Sequence, residues 1–185
     1  GFQEHTKIFR LITSYERMHF AKPNPAYYAE ILGLHGWPQV PCGMVGNSLK
    51  DDIQPAAKVG LAGYWVTNDS PEGVSEMTLP GSTSGGLHQA SAWLERLTLH
   101  KQQIPLNQPE TILAILRSSV AVLKTLTKDL SDEVWKFRST LKDASILESV
   151  SHLCDVEIEI HHSRIQKILN HVNPFISGFD SDAWI

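Results

Sequence analysis

The residues best suited to chemistry are a lysine and two neighbouring acids in the first third of the chain. Lys22 precedes a proline in FAKPNP, and Asp51 and Asp52 stand together in NSLKDDIQP. Carboxylate oxygens suit Mg²⁺, and an ammonium group suits a phosphate. The residues therefore point to a site for a divalent cation and a phosphoryl group. A plainer interpretation is that the acids cap a helix and the lysine is a solvated loop residue.

The surrounding pattern predicts the elements that position these residues. Short apolar runs predict strands at 8–14, 42–47 and 62–67, and helical patterns lie between them at 25–36 and 49–60. Asn24 is the predicted N-cap of the first helix, with Pro25 at its first position. Alternation of strands and helices implies parallel pairing, hence a Rossmann-like α/β sheet.

The carboxyl ends of the predicted strands are where a ligand is expected. Ser14 ends the first predicted strand and Asn47 the second, and the two acids open the helix that follows. In open parallel sheets, ligands bind beyond these strand ends. The hydroxyl, the amide and the carboxylates are therefore predicted to share one edge of the sheet.

The second half of the chain has a different pattern. Residues 69–86 are rich in Pro, Gly, Ser and Thr and predict a loop, and 87–97 predict an amphipathic helix. From 109 onward the pattern is helical only, with one apolar face and a long helix capped by Ser145. The apolar face consists of Ile112, Leu116, Val120, Leu123 and Leu126. We predict two domains, 1–100 and 108–185, with a linker at 101–107.

Composition narrows the class of protein. The chain has 185 residues and a net charge of −4, which gives no electrostatic reason to expect nucleic-acid binding. It has no apolar run long enough for a membrane span and no visible signal peptide, so a cytoplasmic location is expected. Cys42 and Cys154 predict buried thiols rather than a disulfide framework. The first residue is Gly1 and no polar tail closes the chain, so we expect a piece of a longer protein.

The stretches ITSYERMHFAKPNPAYYAEIL and MVGNSLKDDIQPAAKVGLAGYWV resemble the carboxyl half of haloacid dehalogenase (HAD) superfamily phosphohydrolases. The resemblance implies that Lys22 stabilises the phosphate and the nucleophilic aspartate. It implies that Asp52 is a Mg²⁺ ligand, with Asn47 and Asp51 as further candidates. Ser14 is a weak stand-in for the phosphate-binding hydroxyl. Asn47 stands where many members have an aspartate, so it offers an oxygen without a charge.

The nucleophile of this family lies in an Asp-x-Asp motif on the first strand of the sheet. No Asp-x-Asp precedes Lys22, and the one at Asp180–Asp182 lies at the far end of the chain. Without the nucleophile no phosphoaspartate forms. We therefore expect this chain alone to be inactive as a phosphatase. The substrate class that the resemblance implies is a small phosphorylated molecule.

Residues 109–184 resemble the amino-terminal half of DinB-like four-helix bundles, an all-α class. The resemblance rests on the Trp135 connection, ESVSHLCDVE and FDSDAW. It implies that His152 is one of three histidines that hold a divalent transition metal, the others being absent here. A core histidine is the competing interpretation. His161, His162 and His171 are expected to be solvated or capping, and Glu157 with Arg164 to form an exposed or inter-helix charge pair.

Two further hypotheses stay open at this point. In the first, the HAD-like part is degenerate and a DinB-like, metal-dependent transferase or binding bundle carries the function, which Asn47 favours. In the second, the whole chain is a structural interaction module. Because a helical pair leaves an apolar face uncovered, residues 107–185 are expected to dock on the first domain, to self-associate or to be partly disordered.

Overall fold

The computed structural model describes residues 9–67, 75–76, 79–97 and 104–178. The chain divides into two compact units, Gly1–Thr127 and Lys128–Ile185. The predicted boundary at 101–107 differs from this division, because the helix after it packs against a helix of the first unit. Residues 101–103 of that predicted linker lie outside the described residues.

The first unit is built on a four-stranded sheet. Its strands are β1 (Gly43–Gly46), β2 (Ala62–Val66), β3 (Ser75–Glu76) and β4 (Thr83–Gly85), in the order β1-β2-β4-β3. β2 pairs in parallel with β1 and β4, and β3 runs antiparallel to β4. The small parallel three-strand sheet with its helices agrees with the predicted α/β class.

The strand predicted at 8–14 is absent from its described part, residues 9–14. An extended segment becomes a strand only when a neighbour takes its backbone hydrogen bonds, and no described strand pairs with this one. Phe9 is 60% exposed and Ile12 51% exposed, so the apolar run is not buried either. The β-branched composition predicted a strand, and the missing pairing explains why none forms.

β4 lies in the stretch predicted as a loop. Its small polar composition is typical of turns, yet Ser82, Thr83 and Ser84 are buried beside β2. The Gly63 N–H donates to Ser82 Oγ at 2.8 Å, which fixes the entry to the strand. Burial and pairing with β2 therefore override the local composition. Residues 69–74 and 77–78 of the predicted loop lie outside the described residues.

Helices lie on both faces of this sheet. They are α1 (Pro25–Leu34), a π-helical turn (Leu49–Ile53) that continues into α2 (Gln54–Ala57), and a 3-10 turn (Leu87–Gln89) that continues into α3 (Ala90–Leu97). A further helix, α4 (Pro109–Thr127), packs against α1. On one face Ile53 is fully buried and fills the space beside Gly63. On the other face Trp93 packs on Tyr64, with ring centroids 5.4 Å apart. Full burial of a residue such as Ile53 contributes about 1.5–3 kcal/mol.

α4 contacts α1 through small side chains. Ala114, Ser118 and Ala121 are buried, and a Cβ at Gly33 would lie 2.7 Å from Val122 Cγ2. Thr111 Oγ1 donates to the Lys58 carbonyl at 2.5 Å. The large apolar face, predicted to be left uncovered, is exposed at 39–56% for Ile112, Leu116, Val120, Leu123 and Leu126. The contact with α1 is made instead by small residues, because they permit a close approach of the two helices.

The second unit contains α5 (Asp132–Lys136) and a run of helix formed by α6 (Ile146–Asp155), a π-helical segment (Val156–His162) and α7 (Ser163–Asn170). The predicted capping box is confirmed, since Ser145 and Glu148 exchange side-chain and backbone hydrogen bonds. No side chain from Ile146 to Asn170 is fully buried. In the described parts of the chain, no helix combines the length and apolar character needed to cross a membrane.

Candidate active site

Lys22 and Asp52 are brought together from positions 30 residues apart. Lys22 Nζ lies 2.6 Å from Asp52 Oδ1, and the Asp52 side chain is 7% exposed while that of Lys22 is 42% exposed. The other carboxylate oxygen, Oδ2, accepts the Ser48 N–H at 3.0 Å. Each oxygen of the buried carboxylate thus has a donor, as buried charges require. The lysine presents its charge at the surface of the site, with the acid beneath it.

The turn after β1 is shaped around the Asp52 side chain. A Cβ at Gly46 would lie 2.5 Å from Asp52 Cγ and Oδ2, so only glycine leaves room for the carboxylate. Ser48 caps the π-helical turn, with its Oγ accepting the Asp51 N–H at 3.0 Å and donating to Asp51 Oδ2 at 2.8 Å. The Gly-Asn-Ser sequence therefore determines where both acids lie.

Tyr28 of α1 forms a hydrogen bond with the backbone of this turn. Its hydroxyl donates to the Asp51 carbonyl oxygen at 2.6 Å. Burial raises the pKa of Tyr28 well above its ordinary value, and the nearby Asp52 charge acts in the same direction. The phenol therefore remains a protonated donor, and the contact joins α1 to the acidic turn.

The acidic turn offers a limited set of metal ligands. Asp51 and the Asn47 side chain are exposed at the end of β1, and the Asn47 carbonyl accepts the Trp65 indole N–H at 3.1 Å. Among the described residues no three His, Cys, Asp or Glu side chains are grouped to hold a metal. Mg²⁺ commonly takes only one or two protein carboxylates, with waters and substrate phosphates as its other ligands. Asp52 and Asp51 fit that smaller donor set.

Ser14 and Lys22 line one pocket of about 260 Å³. A hydroxyl pair forms part of its wall, with Thr13 Oγ1 2.9 Å from Tyr27 Oη. The other lining residues are Tyr15, Met18, Phe20 and Ala21. The weak candidate Ser14 is therefore on the same pocket as the lysine, whereas Asp51, Asp52 and Asn47 are not among the residues that line it.

Glu30 was not singled out from the sequence. It is fully buried in α1 and accepts the His19 N–H at 3.1 Å and the Phe20 N–H at 3.3 Å. His19 Nδ1 lies 2.8 Å from the same carboxylate. One feature of the sequence indicated that Glu30 is buried: it lies four residues after Ala26 and three before Gly33, and therefore on the same face of α1 as these small residues.

The histidine helix does not form a metal centre within the described residues. His152 is exposed on α6, which contradicts the competing interpretation as a core histidine. Glu157 Oε1 lies 3.1 Å from His161 Nδ1, and Arg164 donates to the Ser177 carbonyl at 2.8 Å. The two residues expected to pair with each other therefore have other partners. Cys154, predicted to be buried, is also exposed.

Residues 19–78 match the family model described as HAD-hydrolase-like. The match includes Lys22, Asn47, Asp51 and Asp52, and it covers 60 of the 185 residues. It indicates a phosphohydrolase-type function at a coarse level. No curated protein and no solved structure matches the chain. The HAD-like segment ends before α4, so the resemblance to DinB-like bundles stays a prediction.

Proposed function

We propose that the HAD-like segment is the lysine- and acid-bearing part of a Mg²⁺-dependent phosphohydrolase site for small phosphorylated molecules. The observation that carries the proposal is the 2.6 Å contact between Lys22 and the buried Asp52 at the carboxyl end of β1. A buried acid that meets a lysine at the end of a parallel strand is typical of ligand sites. Structural ion pairs also occur there, so the family match is the second support.

Each residue has a stated role in this proposal. Lys22 binds the phosphoryl oxygens and stabilises charge that develops on them, because a fixed cation is most effective near a partly dry site. Asp52, fixed by the Ser48 N–H, serves as a metal ligand, with Asn47 and Asp51 as secondary oxygen donors. Bound Mg²⁺ supplies Lewis-acid polarisation of the phosphoryl group. Ser14, which lines the same pocket as Lys22, serves as a hydroxyl donor to the phosphate.

The proposal also states that this chain by itself does not hydrolyse phosphate esters. The sequence contains no Asp-x-Asp before Lys22, and Asp180–Asp182 lies outside the described residues. Without a positioned nucleophile, the site binds phosphate without splitting its ester. We therefore expect no hydrolysis of p-nitrophenyl phosphate above the rate in buffer, and turnover that depends on Lys22 would contradict this part.

Phosphate binding tests the site independently of turnover. Inorganic phosphate is titrated calorimetrically into the chain in Mg²⁺ buffer, using wild type, Lys22→Met and Lys50→Met. Lys50 is the matched control because it is an exposed lysine on the same π-helical turn. Removing a charge-assisted contact is expected to weaken binding about tenfold or more for Lys22→Met. Equal affinities for wild type and Lys22→Met would refute the proposed function.

A second candidate is a non-catalytic HAD-like module beside a metal-binding helical bundle. It is favoured by the uncharged Asn47 at the end of β1 and by the exposed His152 on α6. Because the resemblance implies two further histidines that this sequence lacks, the test is elemental analysis of the complete protein. A divalent transition metal that is lost in His152→Ala and retained in His171→Ala would support the hypothesis, and absence of such an ion from the complete wild type would contradict it.

A further inference from the structure

Glu30 is a fully buried carboxylate with three donors on one short segment. It accepts the backbone N–H groups of His19 and Phe20, at 3.1–3.3 Å, and His19 Nδ1 lies 2.8 Å away. Ionised groups in the interior are stable only when such donors surround them. The carboxylate and the segment before Lys22 therefore form one unit.

The segment that carries Lys22 is held on both sides. Before the lysine, Glu30 binds the two backbone amides at His19 and Phe20. After it, the Asn24 N–H donates to the Ala21 carbonyl and the Asn24 side chain caps α1. A long lysine side chain is flexible, so the position of its ammonium group depends on how firmly its backbone is fixed.

We propose that Glu30 is a positioning residue that acts on phosphate binding through the backbone of the segment before Lys22. It rests on the proposed function of Lys22 and extends it to a residue that never touches the ligand. The His19 ring is the less important partner, since the two backbone amides connect Glu30 directly to the chain that leads to the lysine. The backbone anchor and an ion pair with His19 are separable by mutation: the anchor predicts that phosphate affinity depends on Glu30 and not on the His19 ring, and an ion pair predicts that it depends on both.

The test compares Glu30→Gln with His19→Ala in the same phosphate titration. Glu30→Gln keeps the volume but removes the charge that both amides share. We expect phosphate affinity to fall about tenfold, the size of one hydrogen bond to a charged group. His19→Ala removes the ring and keeps the backbone N–H, so a change of less than about twofold is expected. Equal losses in both variants, or no loss in Glu30→Gln, would overturn the proposal.

Amide hydrogen exchange distinguishes a local loss of the Glu30 anchor from a general destabilisation of the first unit. In Glu30→Gln the His19 and Phe20 amides are expected to exchange at least about tenfold faster, while the Tyr64 amide in β2 keeps its protection. If Glu30→Gln does not fold, the wild type decides. Slow exchange of the His19 and Phe20 amides supports the anchor, and exchange at the rate of an open chain refutes it.

The failures of the two proposals are distinguishable. If Lys22→Met leaves phosphate binding unchanged, the function proposed for the site fails. If Lys22→Met abolishes binding and Glu30→Gln does not weaken it, only the positioning role fails.

Discussion

Replacing Gly46 with alanine places a methyl group where the Asp52 carboxylate lies. The new Cβ would be 2.5 Å from Asp52 Cβ, Cγ and Oδ2, and such distances are far below van der Waals contact. Asp52 is a buried residue of a turn whose backbone is held by the Ser48 cap and the Tyr28 hydroxyl. The carboxylate must therefore swing away from Lys22 and from the Ser48 N–H.

The expected cost follows from those contacts. Overpacking alone is worth about 1–3 kcal/mol. Loss of the Ser48 N–H bond to a charged group adds about 1.5–3 kcal/mol, part of which the relaxed side chain recovers from water. Lys22 is partly exposed, so its ion pair adds at most about 1 kcal/mol. We expect Gly46→Ala to lower the free energy of unfolding of the first unit by about 3 kcal/mol.

Urea unfolding followed by tryptophan fluorescence measures this change, with Trp65 and Trp93 in the first unit as probes. The matched control is the same substitution in an Asp52→Gly background, where no side chain occupies the space. There the cost of Gly46→Ala is expected to fall below about 1 kcal/mol, since interacting positions are non-additive. A cost that is equal in both backgrounds, or below about 0.5 kcal/mol in wild type, would refute the reasoning.

Two further predictions concern the contacts that hold each unit. The pKa of Tyr28 is raised by burial and by Asp52, so above pH 10 the unfolded chain releases this proton and the folded chain keeps it. The free energy of unfolding of the first unit, measured with urea, should therefore fall as pH rises from 9 to 11, and it should fall less in Tyr28→Phe. The exposed Tyr15→Phe is the control and should fall as the wild type does. An equal fall in Tyr28→Phe and wild type would contradict the role given to the Tyr28 proton. In the second unit, Ser145→Ala should destabilise the helix by about 1 kcal/mol, because the Oγ that accepts the Glu148 N–H is lost while the backbone N–H of residue 145 keeps its bond to the Glu148 carboxylate. Far-UV circular dichroism during thermal unfolding measures it, and an equal effect from exposed Ser151→Ala would count against the cap.

The sequence predicted the local parts of the site well, and the contacts between them poorly. Asn24 capping α1 depends on residues within a turn of one another, so its pattern is visible in the chain. The contact between Lys22 and Asp52 spans 30 residues. Spacing alone favoured helix-capping acids and a solvated lysine, and only the resemblance to HAD-like proteins placed both residues in one site. Glu30 was missed because an acidic residue is expected at the surface of a helix, and only its place on the inward face between Ala26 and Gly33 indicated otherwise.

The incorrect predictions of strands also arise from contacts between distant parts of the chain. Residues 9–14 have strand composition but no described partner, while β4 has loop composition and a partner in β2. Strand formation depends on non-local pairing, which composition does not report. The pattern of α4 showed an apolar face but not which side contacts α1, and that side carries alanine and serine.

The contact between α1 and α4 has a consequence for conformational entropy. Gly33, Ala114 and Ala121 have no rotamers to lose on burial, whereas ordering a leucine costs about 0.5–1 kcal/mol. The same small side chains bury little apolar area, so they gain little from leaving water. The distance between the two helix backbones is thus set by shape, and any larger side chain at Gly33 would have to push them apart. This contact acts as a spacer of fixed width between α4 and α1, the helix that carries Glu30 and Tyr28.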